Sequence, residues 1–349
     1  MKRAVVLGLI ALAACSDALE QTSTAGQVIA VVNSVDNTVS FVGATHFSVH
    51  TVDMQAPGGA GTTAAGLGST VLVPLGPGDG IAVISNTGVC HPGLCVRPVF
   101  VIPLAPGSGA TGVGIFDDSI AWVANPNLNT VTRVNYLLGD TASFPVGPSP
   151  QAVVIADSEV FVVNANMVGS QPAGPSSISY APAEAGMLGS PFGTILLSCL
   201  SARFATLGGD GLIYVTCAGH PGAADGKLSI VDPVARAELV VINGLGESPG
   251  NAAFHPSGRL LIASDTTGIL EVNTLTRSIT RGPGQGVKLD GDGVSTLAID
   301  ERGRVYALDR KDCVQPGTLH ILAAPPSYDD LNEVTVGVCP SAVATVTVF

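Results

Sequence analysis

The sequence is short of charge. Of its 349 residues only 12 % are Asp, Glu, Lys or Arg, while 46 % are hydrophobic. Its surface must therefore be covered largely by Gly, Ser, Thr, Asn and Pro. Basic residues are the scarcer kind, 15 Lys and Arg against 27 acids, for a net charge of −12. That excludes nucleic acid as a partner, because phosphate binding needs clustered Lys and Arg. It also excludes docking on anionic lipid through a basic patch. Aromatic residues are only 5 %, with a single Trp. After residue 25 no long Ala/Leu/Glu/Lys helical pattern occurs. Nor is there a Gly-x-Ser-x-Gly, a His-Glu-x-x-His, a phosphate cradle or a nucleotide motif. Gly and Pro, by contrast, are abundant at 43 and 24, which suits a chain of many tight turns.

The first residues form a targeting segment. Lys2-Arg3 is a positive start, and residues 4–14 are an apolar run, well short of the ~20 residues that span a bilayer. The run ends in Leu12-Ala13-Ala14-Cys15. This resembles a bacterial lipoprotein box, which implies that Cys15 is lipidated as the first mature residue. Ser16 after the cysteine implies outer-membrane delivery. The expected division is a signal peptide over 1–14, the lipidated Cys15 with a flexible tether over 15–26, and one folded body over 27–349.

Beyond the tether, one unit recurs. Residues 117–151 hold three short apolar strands separated by Asp118-Ser119, Asn129 and Gly139-Asp140. Along the chain, seven apolar strands end in Asn33, Ser85, Asn125, Asn164, Cys217, Ser264 and Asp309. A repeat of roughly 40–50 residues made of strands alone is the pattern of propeller blades. Six of the seven strands follow a turn rich in Asp, Ser and Gly, such as Gly78-Asp79-Gly80, Asp157-Ser158 or Ser257-Gly258. These residues supply positive φ or Asx bonds. The first blade lacks such a turn. Residues 339–349 look like the missing inner strand, so the end of the chain is expected to complete blade one and close the ring, removing free sheet edges. The predicted fold class is all-β, a seven-bladed β-propeller of four-stranded antiparallel blades. Residues 248–264, led by Ser248-Pro249 and running through Pro256-Ser257-Gly258 to Ser264, resemble the YVTN-type β-propeller repeat. So do the Asn-Thr-Val continuations at Asn37 and Asn129. The resemblance spans about residues 27–349 and implies a fold more strongly than a function.

Six cysteines remain after Cys15: Cys90, Cys95, Cys199, Cys217, Cys313 and Cys339. An even set in an exported chain points to disulfides. The blade map places all six in or beside loops of one face and selects Cys90–Cys95, Cys199–Cys217 and Cys313–Cys339. Metal thiolates would need Cys-x-x-Cys pairs, and none is present.

Candidate chemistry gathers at the strand ends. Asn33, Ser85, Asn125, Asn164, Ser264 and Asp309 are expected to converge on one mouth of the central channel. They would either hold a ligand or ion there or hydrogen-bond their own outgoing loops. His91 and His220 each precede Pro-Gly, a turn signal, and lie three blades apart, too far to share an ion. His255-Pro256 belongs to a hairpin turn on the opposite face. Leu289-Asp290-Gly291-Asp292-Gly293 alternates acids and glycines but lacks the twelve-residue Ca²⁺ loop with its closing Glu. No metal site and no cofactor are therefore assigned, Ca²⁺ being the one ion the composition leaves open. The expected protein is a monomeric, lipid-anchored binding or scaffold module of the cell envelope, meeting the membrane through its lipid. Its partner would be an envelope protein or a small-molecule ligand, with residues 90–98 and 167–177 as recognition loops. The alternative is a lactonase-like hydrolase or lyase at the channel mouth, which requires an ion or a His–acid pair there.

Overall fold

A computed structural model describes residues 26–348 apart from 57–59, 91–92, 97–98, 185–190 and 291–292, with the side chains of 86–98 and 348 also left aside. The expected signal peptide, Cys15 and the expected tether up to residue 25 lie outside the described residues.

The chain is all-β, with seven antiparallel sheets arranged as the blades of a β-propeller. Blade one contains Gly26–Asn33, Thr38–Gly43 and Val49–Asp53, and its inner strand is Pro340–Val348 from the far end of the chain. That strand pairs with Gly26–Asn33 over its whole length, from Gly26 opposite Val348 to Asn33 opposite Pro340. Ring closure by the C-terminal strand is as expected. The other inner strands are Ala65–Leu67, Val113–Ile115, Pro150–Ala156, Ala202–Leu207, Ala252–His255 and Thr296–Ile299.

Each blade is driven into place by its two middle strands. These read as unbroken apolar runs, Ile120–Asn125 being buried at every position, because both faces meet neighbouring blades. The outer strands are exposed, as in Thr141–Pro145. Seven apolar clusters fill the seams between blades. Val32, Phe41 and Val73 hold blades one and two together, Trp122 and Val162 blades three and four, and Tyr306 and Ile29 close blade seven onto blade one. Where inner strands converge, side chains must vanish. A Cβ on Gly112 would lie 2.5 Å from the Gln151 carbonyl oxygen of the next blade.

Blade two corrects the sequence register. Its second strand is Thr70–Pro74, and Gly80–Cys90, expected to be that second strand, is the third. The turn at residues 75–79 therefore joins the second and third strands. Ser85 pairs with Thr70 at the opposite end of the blade and is not a strand end on the face of Asn33. The third strand runs on and folds back onto Gly93–Val96. This puts the paired segments 86–90 and 93–96 toward the lower face, at the end of the blade opposite Asn33. The Cys90 and Cys95 side chains, their proposed bridge and His91 lie outside what is described. Cys199–Cys217 and Cys313–Cys339 are bonded, with Cα atoms 6.1 and 4.3 Å apart.

Candidate functional site

Three inner strands begin with one residue too many. Pairing jumps from Pro150 to Ala152, from Ala202 to Phe204, and from Pro340 to Ala342. The skipped residues, Gln151, Arg203 and Ser341, are β-bulges, which re-aim a side chain away from the regular ladder. All three line the upper mouth of the central channel, a cavity of about 150 Å³ shared with Thr62, Thr63, Asn251 and Thr296.

Hydrogen bonds between blades run around this mouth. Ser341 Oγ donates to the Gly61 carbonyl at 2.8 Å, Thr62 Oγ1 to the Ala110 carbonyl at 3.3 Å, and Thr111 Oγ1 to the Gln151 carbonyl at 3.2 Å. The Ala202 amide donates to Ser176 Oγ at 3.0 Å, and Thr216 Oγ1 to the Gly250 carbonyl at 2.8 Å. Asn251 both donates to the Leu297 carbonyl and accepts from its amide, at 2.8 and 3.0 Å. The Gly337 amide closes the circle on Asn33 Oδ1 at 3.1 Å. These polar groups are satisfied by the ring itself. Arg203 is exposed and makes no hydrogen bond or ion pair with any described residue. It is the one charged side chain among the residues that line this cavity.

No family model matches the chain, and no curated protein matches it. Solved structures do. A functionally unknown protein from Desulfotomaculum acetoxidans superposes with a TM-score of 0.65 at 12 % identity, covering 91 % of this chain and 98 % of that one. Hydrazine synthase of Kuenenia stuttgartiensis gives 0.61 at 13 % identity, covering 86 % and 92 %. A streptogramin B lyase gives 0.60 at 10 % identity, covering 81 % and 94 %. Likeness at these identities is one of fold, and it fits the seven-bladed ring.

None of the six strand-end candidates is among the residues that line this cavity. Asn33, Asn125 and Asn164 are fully buried and turn sideways onto the third strand of their own blade. Asn33 Nδ2 donates to Thr38 and Ser40 at 3.0 and 2.9 Å, and Asn125 Nδ2 to Thr130 and Thr132 at 3.1 and 2.7 Å. Asn164 bridges Ser177 and Ser179 at 3.2 and 3.0 Å. Ser264 Oγ receives the Thr267 hydroxyl at 2.8 Å within its own turn. Ser85 lies at the far face. Asp309 pairs with Lys311 in a separate groove of about 730 Å³ between blades six and seven. There Arg310 meets Asp265 at 2.7 Å. Burial raises the Asp265 carboxyl above its ordinary range, opposed by that arginine. The strand ends are thus clamps, and the mouth belongs to the bulges.

Two histidines resolve clearly. His255 is buried, with Nδ1 2.7 Å from Ser257 Oγ and Nε2 3.1 Å from the Gly303 carbonyl. It fastens the lower hairpins of blades six and seven, as its position suggested. His220 is exposed and its Nδ1 lies 2.7 Å from Asp225 Oδ2. That hydrogen bond is the main cause holding the Asp225 carboxyl below its ordinary value. Arg203 was missed by the sequence reading. Its signal is visible once the inner strands are aligned on their bulges, where Gln151, Arg203 and Ser341 fall in one column.

Proposed function

We propose that the protein is a lipid-anchored binding module of the cell envelope, which takes a small carboxylate at the channel mouth through Arg203. The observation that carries this is the unpaired guanidinium projecting from a bulge into a cavity of about 150 Å³ of mixed polar and apolar lining. A guanidinium binds carboxylate by charge-assisted, bidentate hydrogen bonds. The small cavity and the net charge of −12 favour a compact monoanion over a polyanion. Envelope location rests on the lipoprotein-like box at Cys15, and the YVTN-type kinship belongs to the same proposal. Calorimetry against a panel of short mono- and dicarboxylates is expected to find a ligand whose affinity drops at least tenfold in Arg203→Gln. An unchanged affinity in that variant overturns the site. Cys15→Ser is expected to move the protein from membrane to soluble fractions, and membrane retention would overturn the anchor.

The second reading, a hydrolase or lyase, is favoured by one observation, the His220–Asp225 pair. An acid at 2.7 Å from an imidazole nitrogen orients the ring for proton transfer. The pair shares the upper face but is not among the residues that line the mouth. Turnover of a lactone panel that vanishes in His220→Gln would install this reading, and wild-type inactivity would remove it.

A further inference from the structure

A second polar cluster lies far from the mouth, on the outer part of blade seven where it meets blade six. Its centre is His320 on the third strand, Pro316–Leu322, directly opposite Glu333 on the outer strand, Asp330–Val338. The neighbours of His320 in its strand, Leu319 and Ile321, face blade one, while Leu322 packs with the cluster between blades six and seven. The alternation of a strand therefore turns the imidazole toward the seam with blade six. Asp290 reaches the same place from the connection between those blades. The ligand-capable atoms of Asp290, His320 and Glu333 all lie within 4.8 Å of one another.

The imidazole is the unusual member. His320 is 1 % exposed, and a polar group so buried ordinarily has a hydrogen-bond partner. Its Nε2 has none among the described residues. Its Nδ1 faces Asp330 Oδ2 and Glu333 Oε1, each at 3.6 Å. That is beyond hydrogen-bond reach. It is, however, close to the donor–donor edge of ~3.4 Å in a tetrahedron with ligands at ~2.1 Å from a central ion. The carboxylates are half-exposed, Asp330 at 45 % and Glu333 at 51 %, so an ion arriving from solvent meets a nitrogen ligand on a buried side chain at the base.

We propose that Asp290, His320 and Glu333 form a binding site for a first-row divalent cation such as Zn²⁺ or Mn²⁺, with Asp330 at its edge. One imidazole with several carboxylates suits these ions, whereas Ca²⁺ takes oxygen ligands alone. The bound ion ties the connection between blades six and seven to the last two strands of blade seven, supplementing the apolar seam with a bond across it. The acid-rich stretch around Asp290 thus contributes one ligand to a site assembled in space, with no Ca²⁺ loop.

The test is equilibrium dialysis of the full chain, stripped with chelator, against Zn²⁺ and Mn²⁺ with Ca²⁺ for comparison, read by elemental analysis and melting temperature. One equivalent of Zn²⁺ or Mn²⁺ is expected, with a raised melting temperature. His320→Asn and Glu333→Gln are each expected to weaken binding at least tenfold. Glu333 is half-exposed, so its variant folds even if the histidine variant does not. Asp265→Asn, in the groove of the other cluster, is expected to bind as the unaltered chain does. Absence of binding, binding of Ca²⁺ alone, or undiminished binding in Glu333→Gln would overturn the site.

Discussion

Blades two and three are neighbours of similar size, yet they hold their third strands by different means. In blade three, Asn125 ends the second strand and its amide grips Thr130 and Thr132 across the hairpin. Thr132 passes the bond on to Ser143 of the outer strand at 2.7 Å. In blade two the same place is held by Leu75, and the hairpin beyond it is fixed by Asp79. That carboxylate accepts from the Gly107 amide at 2.7 Å and from Ser108 Oγ at 3.1 Å. Blade three is clamped from within, and blade two is clamped to the strap that leads out of it. A strand followed by Asn and then by alternating hydroxyls marks the first kind in sequence. The second kind depends on a contact 28 residues away and leaves no local mark.

Four perturbations separate the two designs. The largest effect is expected from Trp122→Ala, which empties the seam between blades three and four. Trp122 is fully buried against Phe144 and Phe192, with ring centroids 5.8 and 6.3 Å away, and its loss should cost about 3–5 kcal/mol by chemical denaturation. Asn125→Ala comes next. It removes two hydrogen bonds, one to partly buried Thr130 and one to buried Thr132, and should cost about 1–3 kcal/mol.

Asp79→Asn acts mainly on pH response. The amides of Gly107 and Gly109 and the Ser108 hydroxyl together hold the Asp79 carboxyl below its ordinary value of 3.8, against partial desolvation. A depressed carboxyl contributes stability that is present above its unfolded value and lost as pH falls through the folded one. Protection of the Gly107 and Gly109 amides from hydrogen exchange, taken relative to their intrinsic rate at each pH, should therefore fall on acidification below that range in the native chain. In the variant it should be low throughout. The smallest effect is expected from Ser85→Ala, within about 0.5 kcal/mol, because half-buried Ser85 makes no side-chain hydrogen bond to a described residue. If Ser85→Ala matched Asn125→Ala in cost, the register drawn for blade two would be wrong.

The same contrast explains how much could be read from the residues. All seven blades, their order and the closing strand follow from the apolar runs, because the two middle strands of each blade must be apolar on both faces. Blade two slipped by one strand because Ile81–Ile84 is as apolar as Val71–Val73, and Gly78-Asp79-Gly80 imitates the turns that precede second strands elsewhere. The strand-end asparagines were recognised as a set, and a period-two strand cannot tell whether its last residue faces the channel or the next strand. Arg203 escaped for a related reason. A bulge shifts one residue out of register, and only pairing across strands reveals which one. His320 escaped because its partners come from two other segments, the connection before blade seven and the outer strand of that blade.

The pairing of blade one spans most of the chain, as in the bond from Ser341 to Val32 across 309 residues. Loop entropy rises only with the logarithm of length, but contacts of such separation form slowly. Folding should therefore pass through an open arc whose exposed edge, Gly26–Asn33, is the most apolar strand waiting for a partner. The Cys313–Cys339 bond changes the nature of that wait. It secures the residue immediately before Pro340 to blade seven, whose Tyr306 and Leu308 pack against blade one in the closed ring. Once it forms, the last strand no longer searches the whole volume swept by a free chain end. It is delivered to the gap, and what would be a slow encounter between distant segments becomes a short local zippering.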